Sequence, residues 1–279
     1  MKKTLMAGVA LSGIVGIGPA YAGGNIALTG HDDDFHCQNG GPATACTEVK
    51  ELAKYVTNGS SLPILTFDTG TQLTATLTGD GFTVHNVVPT VAAINAAGGA
   101  ALFNHSLYSA IAVASVTSCG GCDNPVGTGT ILAGYETAIA SFFNAGGGVL
   151  GLTAATDTKG FAYVPQAAVN AGFITATTGF TATTAGLALN TSTGLLGIPV
   201  NGDETHNQFP TPGTGGLSAQ YQVLELLNGT TPITLDLTNG TITCTTKCTI
   251  TTGVPEPATT ALLGAGMFGL ALVRRRRRL

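Results

Sequence analysis

The chain of 279 residues contains no tryptophan, and aromatic and charged residues make up only 6% and 9% of it. Carbohydrate-binding modules usually stack sugars on aromatic faces, so this shortage weighs against that class. Arginine is absent before residue 274, although five arginines follow at 274–278. Because nucleic-acid phosphates are neutralised by lysine and arginine, we do not expect this chain to bind nucleic acid.

The five arginines close a segment with three ordered parts. The segment consists of Val254, Pro255, Glu256 and Pro257, an uncharged run at 258–273, and Arg274, Arg275, Arg276, Arg277 and Arg278. The prolines interrupt preceding structure, the uncharged run can enter a bilayer, and the arginines remain in the cytoplasm. This tail resembles the PEP-CTERM sorting signal of Gram-negative bacteria, which implies recognition and removal by an exosortase. The alternative is an ordinary C-terminal anchor, but 16 apolar residues are fewer than the roughly 20 of a full span.

The first 22 residues predict a signal peptide. Lys2 and Lys3 precede an apolar stretch at 5–17, and residues 20–22 form an Ala-x-Ala cleavage site. A retained N-terminal transmembrane helix is the alternative. Together the two termini predict export through the inner membrane, with the protein at the cell surface or outside the cell after C-terminal processing.

Removing both predicted signals changes the charge of the protein. Four basic and 14 acidic residues remain, which gives a net charge of −10 without any arginine. Such an acidic surface keeps the protein soluble by self-repulsion, tolerates divalent cations and again disfavours nucleic acid.

Six cysteines in an exported chain predict disulfides. They fall into three local pairs: Cys37 with Cys46, Cys119 with Cys122, and Cys244 with Cys248. The Cys-x-x-Cys spacing at 119–122 is also found in redox motifs and in half of a metal site. A redox motif needs a helix N-terminus to lower the thiol pKa. Here Asp-Asn-Pro follows and indicates a loop, so we favour a structural disulfide within that loop.

Apolar segments predict the fold class. Strands are expected at 25–29, 62–67, 82–87, 110–115 and 149–153, and helices at 47–56, 73–77 and 130–144, the last ending at the glycine triplet 146–148. Strands that are apolar throughout and alternate with helices indicate an α/β fold with a parallel sheet covered on both faces. Beyond residue 161 the composition shifts to threonine, glycine and alanine, with a hairpin expected around Asn239-Gly240.

The strand at 110–115, followed by the helix, the glycine triplet and the strand up to Thr153, resembles the class I glutamine-amidotransferase-like fold. The trehalose-utilisation-type branch is the closer comparison, and the likeness spans residues 25–156. It implies a flavodoxin-like sheet in a core at 23–160, with a Thr/Gly-rich β-containing region at 161–253 that completes the core or is appended to it. Amidotransferase chemistry requires a cysteine nucleophile on a tight elbow. The sequence lacks that elbow, and Cys119 has Cys122 as its expected partner.

One polar run directly follows the first predicted strand, where ligands bind in open parallel sheets. It contributes His31, Asp32, Asp34 and His36, and His206 could join from the far end of the chain. Imidazole nitrogens and carboxylate oxygens suit a divalent metal, so these five residues form the predicted metal site. The alternatives are a solvated acidic turn whose aspartates cap the backbone, and a catalytic site.

Two functions follow from these observations. The first is an exported, exosortase-sorted surface or extracellular-matrix protein with a structural or binding role, with exopolysaccharide as a candidate partner. The second is an exported metal-dependent enzyme that acts on a small polar or sugar-like substrate. A His206 side chain close to the 31–36 run would favour the second.

Overall fold

The computed structural model describes residues 23–164, 172–193, 204–238, 240–244 and 248–252. The predicted signal peptide and the sorting tail, with its apolar run at 258–273, lie outside the described residues. Within the described ranges, no helix is both long and apolar enough to cross a membrane.

Twelve strands and seven helices form the described part of the chain. The strands are β1 (Asn25–Thr29), β2 (Ile64–Phe67), β3 (Val84–Val87), β4 (Ala110–Val113), β5 (Gly148–Gly151), β6 (Gly172–Ala176), β7 (Phe180–Ala182), β8 (Thr205–Gln208), β9 (Gln222–Leu227), β10 (Thr231–Thr238), β11 (Gly240–Cys244) and β12 (Cys248–Thr252). The helices are α1 (Asp33–Gln38), α2 (Ala43–Thr57), α3 (Gln72–Gly79), α4 (Val91–Ala96), α5 (Thr128–Ala133), α6 (Glu136–Asn144) and α7 (Thr184–Thr193).

Eight of these strands form one mixed sheet in the order β3-β2-β4-β5-β1-β10-β9-β7. The first five strands of this order are parallel to one another, and β10, β9 and β7 extend the sheet by antiparallel pairing. The α/β prediction with a large parallel sheet is therefore confirmed. The flavodoxin-like order, 2-1-3-4-5, is not reproduced, because β1 lies at the far side of β5 rather than between β2 and β3.

The parallel strands are apolar throughout because helices cover both faces of the sheet. In β1, Ile26 and Leu28 pack on the face covered by α4 and α6, whereas Ala27 packs on the face covered by α2 and α3. Successive side chains of a strand point to opposite faces, so each short apolar run contributes to two cores.

Two predicted helices have different bounds in the structure. The second helix begins at Ala43 directly after Pro42, not at Thr47, whose hydroxyl instead donates to the Ala43 carbonyl within the helix. The helix predicted at 130–144 is two helices, α5 and α6, separated at Gly134 and Tyr135.

The glycine triplet ends α6 as predicted. The Gly146 N–H donates to the Phe143 carbonyl and the Gly147 N–H to the Phe142 carbonyl, which is the hydrogen-bond pattern of a Schellman motif. Gly146 has a φ of 104°, a value that L side chains rarely adopt.

The hairpin predicted around Asn239-Gly240 does not form. β10 pairs with β1 and β9 in the main sheet, whereas β11 pairs with β12 in a separate two-stranded sheet. The segment before Asn239 is apolar enough to be buried in the main sheet, and its partners come from elsewhere in the chain. Residue 239 itself lies outside the described residues.

The three predicted disulfides are present. Cys37 is bonded to Cys46, Cys119 to Cys122, and Cys244 to Cys248. The last bond connects β11 and β12 at a position where the two residues face each other in the ladder.

Candidate functional site

The polar run after β1 lies at the carboxyl end of the parallel sheet, and it is buried. Asp32 is 1% exposed and Asp34 is fully buried. The run folds into α1, whose first turn is closed by the Phe35 and His36 N–H groups, which donate to the Asp32 carbonyl. The alternative of a solvated acidic turn is therefore wrong.

Asp32 lies between two histidines from distant parts of the sequence. Its Oδ1 atom is 3.4 Å from His36 Nε2 and its Oδ2 atom is 3.3 Å from His206 Nε2. Glu204 Oε2 lies 3.7 Å from His36 Nε2 on the outer side. These four residues, Asp32, His36, Glu204 and His206, are called the Asp32 cluster below.

Backbone pairing brings His206 to this position. The His206 N–H donates to the Gly30 carbonyl over 2.8 Å, and Thr205 forms a bridge with His31. β8, which carries His206, also pairs with β6, so that Phe173 stacks on the His206 ring with 6.2 Å between centroids. Phe173 is 54% exposed and forms an apolar rim beside the cluster.

The Asp32 cluster has donor atoms that suit proton transfer or the binding of a cation, because Asp32 Oδ1, His36 Nε2 and both ring nitrogens of His206 are buried without a hydrogen-bond partner in the described part of the chain. The two imidazoles approach different oxygens of one carboxylate, an arrangement in which Asp32 can orient both rings. Histidine is the side chain that most often acts as general acid or base in enzymes. His36 and Glu204 keep 21% and 31% of their side-chain surface exposed, so solvent reaches the outer side of the cluster, whereas Asp32 and His206 are buried behind them.

The other two members of the predicted metal site point elsewhere. His31 Nε2 lies 2.8 Å from Glu225 Oε2 on β9. The Asp34 carboxylate accepts hydrogen bonds from the Ser115 N–H, over 3.0 Å, and from the Ser115 hydroxyl, which ties α1 to the end of β4. The five residues predicted as one ligand set are thus divided among three groups of contacts.

Burial raises the pKa of the Asp34 carboxyl from 3.8 to about 7, although the two hydrogen bonds from Ser115 act in the opposite direction. Burial likewise raises the pKa of Asp68, at the end of β2, to about 6, and the neighbouring Asp123 carboxylate adds to this effect. Two acidic side chains near Asp32 therefore hold protons at mildly acidic pH, where ordinary aspartates are ionised.

The raised pKa of Asp34 predicts a pH-dependent stability. Since the folded state binds this proton more tightly than the unfolded state, the free energy of unfolding should fall as pH rises from about 4 to about 7. An Asp34→Asn variant keeps the shape and one oxygen that can accept from Ser115, but it cannot ionise. We expect it to gain up to about 4 kcal/mol over the wild type between pH 4 and pH 8, measured by urea unfolding. If the free energies of unfolding of the two proteins changed with pH in parallel, the raised pKa of Asp34 would be contradicted.

Two buried asparagines, neither of them among the predicted site residues, hold this edge of the sheet together. The Asn124 side-chain amide donates to the Phe67 and Ala114 carbonyls, at the ends of β2 and β4. Asn207, beside His206, bonds to residues 153–155 after β5. The only sequence signal was the concentration of polar residues at 202–209, which did not distinguish Asn207 from its neighbours.

The Cys119–Cys122 disulfide lies against the Asp32 cluster, with Cys122 Sγ 3.7 Å from Asp32 Oδ2. Thiolates at these positions could join Asp32 as metal ligands. In the oxidised protein both sulfurs are consumed by their mutual bond, so they contribute no thiolate.

Two surface depressions lie away from the Asp32 cluster. One is lined by Lys54, Asn58 and Phe82, near the amino ends of β2 and β3. The other is lined by Phe103, His105 and Phe142, on the face covered by α6. Neither contains a group of titratable side chains comparable with the Asp32 cluster, so we assign the candidate site by its chemistry rather than by concavity.

Comparisons with known proteins inform one end of the chain. No curated protein and no solved structure matches it, so the amidotransferase-like resemblance gains no support and remains a prediction. Residues 253–278 match the family model of the PEP-CTERM protein-sorting motif. The chain therefore carries a PEP-CTERM sorting motif at its C-terminal end, which indicates an exported protein that is processed by an exosortase.

Proposed function

We propose that this protein has a structural or binding role at the cell surface or in the extracellular matrix, where exosortase processing delivers it. The observation that carries the proposal is the sorting motif at 253–278. Three disulfides support it, because such bonds persist in oxidising compartments outside the cytoplasm. The net charge of −10 between the two signals suits a protein that must stay soluble during export.

A test of sorting should separate an exosortase signal from a plain membrane anchor. In a host with an exosortase, the wild type should lose its tail, whereas a variant with Pro255→Ala, Glu256→Ala and Pro257→Ala keeps the apolar run and the arginines but should remain uncleaved in the membrane. Intact mass and membrane fractionation measure both outcomes. Equal masses, with both proteins anchored through residues 258–273, would contradict exosortase processing.

The proposed binding role uses the Asp32 cluster. His36 and Glu204 offer hydrogen-bonding groups at its mouth, and the exposed ring of Phe173 offers an apolar surface beside His206. A polar ligand rich in hydroxyl groups fits this combination, with exopolysaccharide as the candidate. We expect exopolysaccharide purified from the bacterium that makes this protein to bind the wild type, and we expect Phe173→Ala and Glu204→Gln to weaken that binding.

A second candidate function is an exported enzyme that acts on a small polar or sugar-like substrate. It is favoured by the 3.3 Å distance between Asp32 and His206, which are far apart in the sequence. In this role the cluster would exchange protons with the substrate through His36, at its exposed side, and the buried Asp32 would orient both imidazoles. Loss of turnover in His206→Gln without loss of binding would support the enzyme over the binding protein.

A further inference from the structure

A second group of ionisable side chains lies deeper in the fold, where the end of β1 meets α2 and β9. It consists of His31, Glu48 and Glu225. One ligand atom from each lies within 4.8 Å of the other two. The three residues are between 0% and 1% exposed, so the group is enclosed by protein.

Threonine hydroxyls complete the lining of this group. Thr234 Oγ1 donates to Glu225 Oε2 over 3.0 Å, and Thr29 Oγ1 lies 3.4 Å from Glu48 Oε1. The two hydroxyls are 3.1 Å apart. The group is therefore rich in oxygen atoms, with a single imidazole nitrogen among them.

The donor atoms of this group suit a cation. Two carboxylates are buried beside one imidazole, and His31 Nε2 lies 2.8 Å from Glu225 Oε2. His31 Nδ1 lies 3.2 Å from the Glu204 carbonyl oxygen, which can only accept a hydrogen bond, so a proton on Nδ1 leaves the Nε2 lone pair for a metal ion. A divalent cation bound by two carboxylates and a neutral imidazole would give a group without net charge.

The Glu225 carboxylate provides an independent sign of a missing ligand. Its Oε2 atom is occupied by His31 and Thr234. Its Oε1 atom is buried and has no hydrogen-bond partner in the described part of the chain. Buried polar atoms are nearly always satisfied, and an ion bound within the group would satisfy this one.

We propose that His31, Glu48 and Glu225 bind one divalent transition-metal ion, with Zn²⁺ as the best fit. Imidazole nitrogen with carboxylate oxygen suits Zn²⁺, whereas Ca²⁺ and Mg²⁺ prefer all-oxygen sites. Because the site is enclosed, the ion is structural: it connects α2, the end of β1 and the antiparallel half of the sheet. The site is distinct from the Asp32 cluster and does not depend on the sorting function.

The test uses the full-length chain, purified with its disulfides intact. We expect about one bound zinc per chain by elemental analysis, and a fall in Tm of about 5 °C or more when a chelator removes it. Adding Zn²⁺ should restore the Tm, and Mn²⁺ and Ca²⁺ serve as comparison ions. A wild type whose Tm responds to none of the three ions would overturn the proposal, whatever the outcome of the sorting experiment.

Variants assign the ligands. Glu225→Gln and Glu48→Gln keep the side-chain shape and should abolish the zinc-dependent rise in Tm. Asp34→Asn removes another buried carboxylate outside the group, and His206→Gln alters the Asp32 cluster, so both should retain the rise. A zinc response that persists in both glutamine variants, or that disappears in His206→Gln alone, would contradict the assignment. If the glutamine variants do not fold, X-ray absorption of the zinc-loaded wild type decides, because sulfur ligation would refute the site.

Discussion

Replacing Asn207 with alanine is expected to lower the free energy of unfolding by about 3–5 kcal/mol, which is at the upper end for a single substitution. The Asn207 Oδ1 atom accepts from the Thr153 hydroxyl and from the N–H groups of Ala154 and Ala155, at 2.6–2.7 Å. Its amide donates to the Ala155 carbonyl over 2.8 Å. Alanine would leave these buried groups unsatisfied, and each such group costs about 1–3 kcal/mol.

The backbone that Asn207 holds adds to this expectation. Ala155 has a φ of 45°, in the left-handed region that is unfavourable for residues other than glycine. Asn207 bonds both to the N–H and to the carbonyl of Ala155, and it thereby fixes the strained turn after β5. Relieving the strain with Ala155→Gly should recover about 1 kcal/mol in the Asn207→Ala background.

Urea unfolding of the wild type and of Asn207→Ala measures the effect. Asn39→Ala is the matched control, because its side chain makes one hydrogen bond at an exposed position. The control should lie within about 0.5 kcal/mol of the wild type. An Asn207→Ala variant as stable as the control would show that the turn after β5 is held by other contacts.

The second large effect is expected for Gly148→Ala, at the start of β5. A Cβ atom at this position would clash with the Val56 carbonyl oxygen and carbon, which are backbone atoms of α2 and cannot move independently. The helix would have to shift away from the sheet, and overpacking of this kind costs about 1–3 kcal/mol or more. We expect a clear fall in Tm together with loss of packing between α2 and β5.

Gly79→Ala is the control for this substitution, since a Cβ atom there would meet open space at the end of α3. Alanine favours helix over glycine by up to about 1 kcal/mol, so this variant should be neutral or slightly more stable. Thermal unfolding followed by circular dichroism compares the three proteins. Equal losses of Tm in both variants would mean that glycine at 148 is not needed for close packing.

Local signals in the sequence predicted local structure well. β1 occurs at the predicted residues, the glycine triplet caps α6, and each cysteine is bonded to the cysteine nearest to it in the sequence. The helix cap and the disulfides depend on contacts within about ten residues, and the apolar run of β1 marks the strand even though its partners β5 and β10 are distant in the sequence. The predicted hairpin around Asn239-Gly240 does not form, because long-range contacts decide this segment. Burial of β10 between β1 and β9 outweighs the local turn preference.

The candidate site was predicted only in part. Asp32 and His36 are four residues apart, so a helix places them on one face. His31 precedes that helix and faces Glu225, while Asp34 lies on another side and faces Ser115. These residues face different partners because α1 turns their side chains in different directions, and the sequence did not predict a helix there.

The sequence by itself indicated an exported protein that an exosortase processes, through a terminal motif that is a linear segment. It also determined the α/β class, since apolar strands alternate with helices. Only the tertiary structure decided the strand order and the partners of the polar residues. Asn207 and Glu225 reach Ala155 and His31 across 52 and 194 residues of sequence. Such contacts are set by which strands lie side by side, and the burial of apolar surface that selects this arrangement is a property of the whole fold.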